Sequence, residues 1–126
     1  MHIYIAGWIV GFIVFQTAIV TPTLFKTLDF PQFGVAVRGL WPKFFALTSG
    51  SGAALMLALW FADTPSGAQW AIGASTFLSG AICYAIVPAT NRATDEGDHK
   101  RFKTLHRISV SLTVLTLLAN LAFPFA

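Results

Sequence analysis

The chain has 126 residues, 56% of them hydrophobic and 10% charged, against about 45–50% and about 25% in ordinary soluble domains. Eight basic and five acidic side chains cannot cover the water-facing shell of a soluble domain of this size. Composition therefore excludes a soluble globular domain, and a lone cysteine, Cys83, excludes an intrachain disulfide scaffold.

A charged side chain near the bilayer centre costs at least about 2.5–3.5 kcal/mol, so uncharged windows mark the predicted spans in chain order. Residues 3–20 form the first. This window lacks the basic n-region and small-residue cleavage site of a signal peptide and is expected to be retained. Pro22, in the run Thr21-Pro-Thr-Leu-Phe25, either ends or kinks that helix. Phe33, Val37 and Leu40 then recur at helical spacing with Gln32 and Arg38 elsewhere on the wheel, which predicts a short helix lying in the membrane interface. The second span is 44–62, with Pro42 in its first turn. Pro65, Ser66 and Gly67 make the turn into the third span, 70–87, and Pro88 follows its end. The last window, 108–123, is extended back to 102 by Phe102 and Leu105, with Lys103 and Arg107 snorkelling, and Pro124 closes it. At 1.5 Å per residue the windows measure about 24–29 Å, close to the ~30 Å hydrocarbon core. The expected fold is one all-α domain over residues 1–126, an integral membrane four-helix bundle of antiparallel hairpins.

The basic residues set an expected orientation. The first connection carries Lys26, Arg38 and Lys43, and the third carries Arg92, Lys100, Arg101, Lys103 and Arg107, whereas residues 63–69 and both termini carry none. The positive-inside rule then makes the first and third connections cytoplasmic and puts both termini on the opposite side. Tyr4, Trp60 and Trp70 fall at the outer ends of their spans, with Trp41 and Tyr84 near inner ends, as interfacial aromatic belts require. The expected setting is a bacterial inner membrane or an organellar inner membrane.

In lipid, helices associate through small residues and polar contacts. Ala46, Gly50, Ala54, Ala58 and Ala62 recur every four residues in the second span, and Ala71, Ser75, Ser79 and Cys83 do so in the third. Two such ridges joined by a short turn predict a close antiparallel hairpin. Gly7 and Gly11 make a further small pair on the first span. In the last span His106, Ser109, Thr113, Thr116 and Asn120 follow steps of 3, 4, 3 and 4 and form one polar stripe. Gln16, counted along the antiparallel first span, falls level with Ser109 or Thr113, so a hydrogen-bonded seam between the first and last helices is expected. The alternative is a polar cavity along the same stripe.

Catalytic patterns are not evident: the spans contain no paired carboxylates, no phosphate-binding glycine loop and no nucleophile with a neighbouring base. Haem through His106, or a divalent ion on Asp95, Glu96, Asp98 and His99, is the alternative to a protein without cofactor or metal. His2 stands about a bilayer thickness from His106 and cannot share a haem with it. The basic excess suits anionic headgroups, so nucleic acid is not an expected partner.

The runs Phe33-Gly34, Gly39-Leu-Trp-Pro-Lys-Phe-Phe45, Pro88-Ala-Thr-Asn91 and Phe102-Lys-Thr-Leu-His-Arg-Ile-Ser109 together resemble the transmembrane-protein-205-like family of small four-span membrane proteins, whose biochemical activity is largely undefined. Trp41 stands where that family commonly has Phe, and Thr113 where it has Asn. The resemblance implies signature residues on the cytoplasmic face: Pro22, Phe25, Phe33, Gly34, Pro42, Phe45, Asn91, His106, Arg107 and Ser109. The expected function is a non-enzymatic structural or accessory subunit that meets other membrane subunits or a second copy of itself. The alternative is a binding or transport module for a small ligand, metal or haem on the polar face of the last helix.

Overall fold

The computed structural model describes residues 1–126 and contains four helices long and apolar enough to cross a membrane: α1 (His2–Thr27), α2 (Phe30–Trp60), α3 (Gly67–Asp95) and α4 (His99–Phe125). No strand is present. The class is therefore an all-α integral membrane four-helix bundle. Its connections are short because each is written in capping chemistry. Asp29 accepts from the Gln32 N–H at 2.9 Å, with Pro31 in the first turn of α2. Ser66 and Gln69 form a reciprocal capping box at the start of α3. At the end of α3 Gly97 takes φ +70°, and the Asp98 N–H turns back to the Ala93 carbonyl at 2.9 Å. That is a Schellman stop, and Asp98 then caps α4 through the Arg101 N–H.

This capping corrects the expected boundaries. The basic connections are not long loops: 28–29 and 96–98 suffice, and the basic residues ride on helix ends. The interfacial helix around Phe33 and Val37 is the first part of α2, and Pro42 lies inside that helix instead of opening it. Pro88 likewise lies inside α3. Each proline removes one N–H and leaves one carbonyl, Arg38 or Tyr84, without its helical partner, a loss that lies toward the charged end of the bundle, where water is at hand. At 1.5 Å per residue α2 and α3 measure about 47 and 44 Å, so both project well beyond a ~30 Å core. The projecting ends carry the charge.

Pro22 does not end α1, which runs on through it to Thr27. Residues Phe15–Val20 form a π-helical turn, closed by the Thr21 N–H on the Gln16 carbonyl. A proline cannot donate to the carbonyl four residues back and its ring crowds that carbonyl; the wider turn relieves the crowding and inserts one residue of register, about 100° of rotation.

The α2/α3 hairpin is the tightest part of the bundle, but it does not use the expected ridges. A Cβ at Gly52 would stand 2.8 Å from the Phe77 Cα, and one at Gly80 would stand 2.8 Å from the Ser49 Cα. Backbone meets backbone at both points, and the Ser49 hydroxyl donates to the Phe77 carbonyl across the gap at 3.0 Å. Ala46, Gly50 and Ala54 face outward, as do Gly7 and Gly11, where an added Cβ would meet nothing. Ala58 and Ser75 are half-buried and Ala71 is exposed, whereas Ser79 is buried and Cys83 reaches the α4 backbone at Ser109. Four-residue spacing marked small faces on α2 but not which of them the partner helix meets.

The helices follow one another around the bundle, each packed on the next, with α1 closing against α4. The terminal half is filled by Ala6, Ile9, Ile13, Leu55, Leu59 and Phe123, all nearly inaccessible. His2 packs against the Phe123 ring at 5.8 Å there. Midway, Phe12, Trp41, Phe44 and Phe45 form an aromatic cluster with centroids 5.2–5.7 Å apart, in which Phe44 meets the other three edge to face and Trp41 lies at 32° to Phe45. Beyond this aromatic floor, towards the charged face, the bundle is open.

Candidate functional site

The opening follows from a change of partners along α1 at its π turn. Its first half packs against α4 as well as α2, whereas residues Thr21–Thr27 pack on the start of α2, with Phe25 edge-on to Phe33 at 5.3 Å. The helices separate there, and a cleft of about 960 Å³ lies between all four. Ile13, Phe45 and Leu117 lie at its deep end; Thr17 and Thr21 of α1 and Val110 and Val114 of α4 line its sides. Arg38, Asn91, Asp95, His99 and His106 stand toward the charged face.

The polar stripe of α4 divides at this level. Thr116 and Asn120 are buried in the terminal half, where the Asn120 amide Nδ2 donates to Thr76 Oγ1 and to the Thr116 carbonyl, both at 2.9 Å. That seam joins α4 to α3, not to α1. Gln16 is buried but donates to Thr21 Oγ1 within its own helix at 3.0 Å. The expected seam with Ser109 or Thr113 is therefore corrected, and the π turn is the reason, because it re-aims the residues around Gln16 and brings Thr21 within reach. Ser109, Thr113 and His106 instead line the cleft.

Most hydroxyls at this level are already used. Thr17, Thr90 and Thr113 each donate to the carbonyl four residues back, at 2.7–2.9 Å, the usual way for a threonine to satisfy itself in a helix. Asn91, His99, His106 and Ser109 form no side-chain hydrogen bond within the protein and face the cleft. His106 stacks on Phe102 one turn earlier, with centroids 5.5 Å apart and an 11° tilt. The arrangement offers several uncommitted donors above an apolar floor.

Arg38 and Asp95 bridge the mouth. The guanidinium grips the carboxylate with two hydrogen bonds, Nη1 to Oδ2 at 3.2 Å and Nη2 to Oδ1, tying the projecting ends of α2 and α3. The hydrogen bond from Arg38 holds the Asp95 carboxyl below its ordinary range and raises the Arg38 guanidinium in turn. Such a depressed carboxyl stabilises the pair at every pH above its unfolded value and loses that contribution only as pH falls through the lower folded value. The distance between spin labels at Val35 and Glu96 should therefore stay constant from about pH 8 to about pH 5. Arg38→Asp should lengthen or broaden it, and adding Asp95→Arg should restore it; a distance indifferent to Arg38→Asp would show that the pin does not hold the mouth. Asp98, the N-cap of α4, and Asp95 thus both have structural work within the acidic cluster.

Of the motif residues expected on the charged face, Phe33, Gly34, Phe45, Asn91, His106 and Ser109 line the cleft. Pro22, Phe25, Pro42 and Arg107 lie outside its lining. Sequence reasoning missed Arg38 paired with Asp95, because a partner 57 residues away leaves no local signal. It also missed Thr76, whose role depends on the α3/α4 register.

Fold and site together define a multi-pass membrane protein, a four-helix bundle opened on its charged side. The chain belongs to a family described as a domain of unknown function (DUF4149), which matches residues 4–99. No curated protein and no solved structure matches it.

Proposed function

We propose that this chain is a non-enzymatic binding module of the membrane, whose cleft receives a small amphipathic ligand from the charged face. The cleft carries this reading. Its volume of about 960 Å³ lies at the upper end of the ~300–1,000 Å³ typical of ligand pockets, and its apolar floor with few polar groups above is the composition such sites share. No resident metal or cofactor is part of the reading.

The test is gentle purification from native membranes, followed by native mass spectrometry and a visible spectrum. A bound mass on the wild type that is lost in Gly34→Leu supports the proposal. Gly34 lines the cleft, and an added Cβ there would meet nothing within 4 Å. Leucine is also a better helix former than glycine, so the substitution fills the site without threatening the fold. Absence of any bound mass overturns the proposal, and a haem band would replace it with cofactor binding at His106.

A second reading, an accessory subunit that meets another membrane chain or its own copy, is favoured by the outward-facing small residues Gly7, Gly11, Ala46, Gly50 and Ala54. The charged face is proposed as cytoplasmic, in a bacterial inner or organellar inner membrane, on the eight-to-zero distribution of Lys and Arg. A cysteine placed at Thr94 should then react with a membrane-impermeant reagent only from the cytoplasm and one at Ser66 only from the far side. The reverse pattern would invert the orientation.

A further inference from the structure

Resting on the cleft as a ligand site, we infer that its occupant is a single anionic phospholipid, entering sideways from the bilayer between α1 and α4. Three observations lead there. The first is the missing wall. α1 leaves α4 after its π turn, and at that level Thr17, Val110 and Val114 line the cleft while remaining exposed. Val110 and Val114 lie within the uncharged part of α4, at hydrocarbon depth, so an acyl chain reaches the cleft without leaving the membrane.

The second is the vertical order of chemistry. Phe45 and Leu117 form the deep end and offer nothing to a polar group, which excludes a wholly hydrophilic ligand. Asn91, His99 and His106, nearer the charged end, are uncommitted within the protein and can donate. A phosphate is an acceptor without donors of its own when ionised, and it matches such a set.

The third is charge. The charged face carries all eight Lys and Arg against four acids, Asp29, Asp95, Glu96 and Asp98, and Asp95 is already neutralised by Arg38. The surplus favours a headgroup with net negative charge over a zwitterionic one.

The experiment uses the full chain in nanodiscs with Trp8, Trp60 and Trp70 replaced by Phe, leaving Trp41, which lines the cleft. Phosphatidylglycerol with brominated acyl chains is added as the minority lipid, and brominated phosphatidylcholine at the same fraction serves as the comparison. Bromine quenches tryptophan on contact, so the expected result is several-fold stronger quenching by the anionic lipid. Gly34→Leu should remove the excess, because lipids attracted merely to the outside of the charged face are unaffected by a side chain in the cleft. His99→Leu with His106→Leu, which removes both donors, should reduce the preference for phosphatidylglycerol while the acyl chain still quenches. Equal excess quenching by both lipids, lost in Gly34→Leu, overturns the anionic choice and leaves the ligand site standing. Excess that survives Gly34→Leu overturns the cleft as the lipid's location. No excess with either lipid overturns the inference; if the protein from native membranes also carries no bound mass, the ligand-site reading falls with it.

Discussion

Gly80→Ala and Gly52→Ala are each expected to weaken the α2/α3 pair by about 1–3 kcal/mol, the usual cost of forcing volume into a packed interface. In both cases the obstructing atoms are backbone, Ser49 against Gly80 and Phe77 against Gly52, and a backbone cannot rotate out of the way as a side chain can. Relief requires the helices to move apart, which stretches the Ser49 hydroxyl bond to the Phe77 carbonyl. The two sites lie on one interface, so a single outward shift relieves both, and the double variant should lose less than the sum of the single losses. Three further substitutions make the result specific. Gly73→Ala meets the flexible Met56 side chain and should cost little, whereas Gly50→Ala and Gly11→Ala meet nothing and should gain up to about 0.5–1 kcal/mol from helix propensity. Unfolding in mixed micelles followed by circular dichroism measures the series. Equal effects at Gly50 and Gly80 would falsify the assigned interface and restore the Ala46, Gly50, Ala54 ridge to it.

This contrast shows what the sequence could supply. The absence of charge in four windows fixes that the chain crosses the membrane four times, because the cost of a buried charge is large and independent of tertiary detail. Helix ends were less legible. Asp29, Ser66 and Asp98 are recognisable caps, yet Pro42 and Pro88 read as boundaries because the carbonyls they leave free are expensive only where water is absent. Facing was the least legible property. Ala46, Gly50 and Ala54 and the pair Gly52, Gly80 are equally small on paper, and only the crossing of two particular helices decides which pair is compressed. The polar stripe on α4 was visible as a pattern, but its division into a seam at Thr116 and Asn120 and a cleft wall at His106, Ser109 and Thr113 depends on where α1 changes partners. Pro22 signalled a disturbance, and the π turn that answers it rotates Gln16 into its own helix.

Asn120 carries the second large effect, and its sign differs between two substitutions. Nδ2 donates to Thr76 Oγ1 and the Thr116 carbonyl, while Oδ1 is fully buried and accepts no hydrogen bond from the protein. Flipping the amide would set Oδ1 against the Thr116 carbonyl, two acceptors face to face, so the observed orientation is the better of the two. Thr76 loses no donor interaction when Asn120 is removed, because its own hydroxyl proton is already given to the Ile72 carbonyl at 2.8 Å. The seam is therefore worth about 0.6 kcal/mol, the average for hydrogen bonds between membrane helices, against an orphaned oxygen that costs about 1–3 kcal/mol. Asn120→Leu, the apolar side chain closest in shape, should leave stability unchanged or raise it by up to about 1 kcal/mol. Asn120→Ala should lower it by about 1–2 kcal/mol, because it opens a void beside Thr76 and Thr116 as well as removing the bond. The same micelle unfolding assay reads both. If leucine were as harmful as alanine, Oδ1 would have to contribute to stability, and the α3/α4 contact would be a hydrogen-bonded lock in place of a packed seam with one polar stitch.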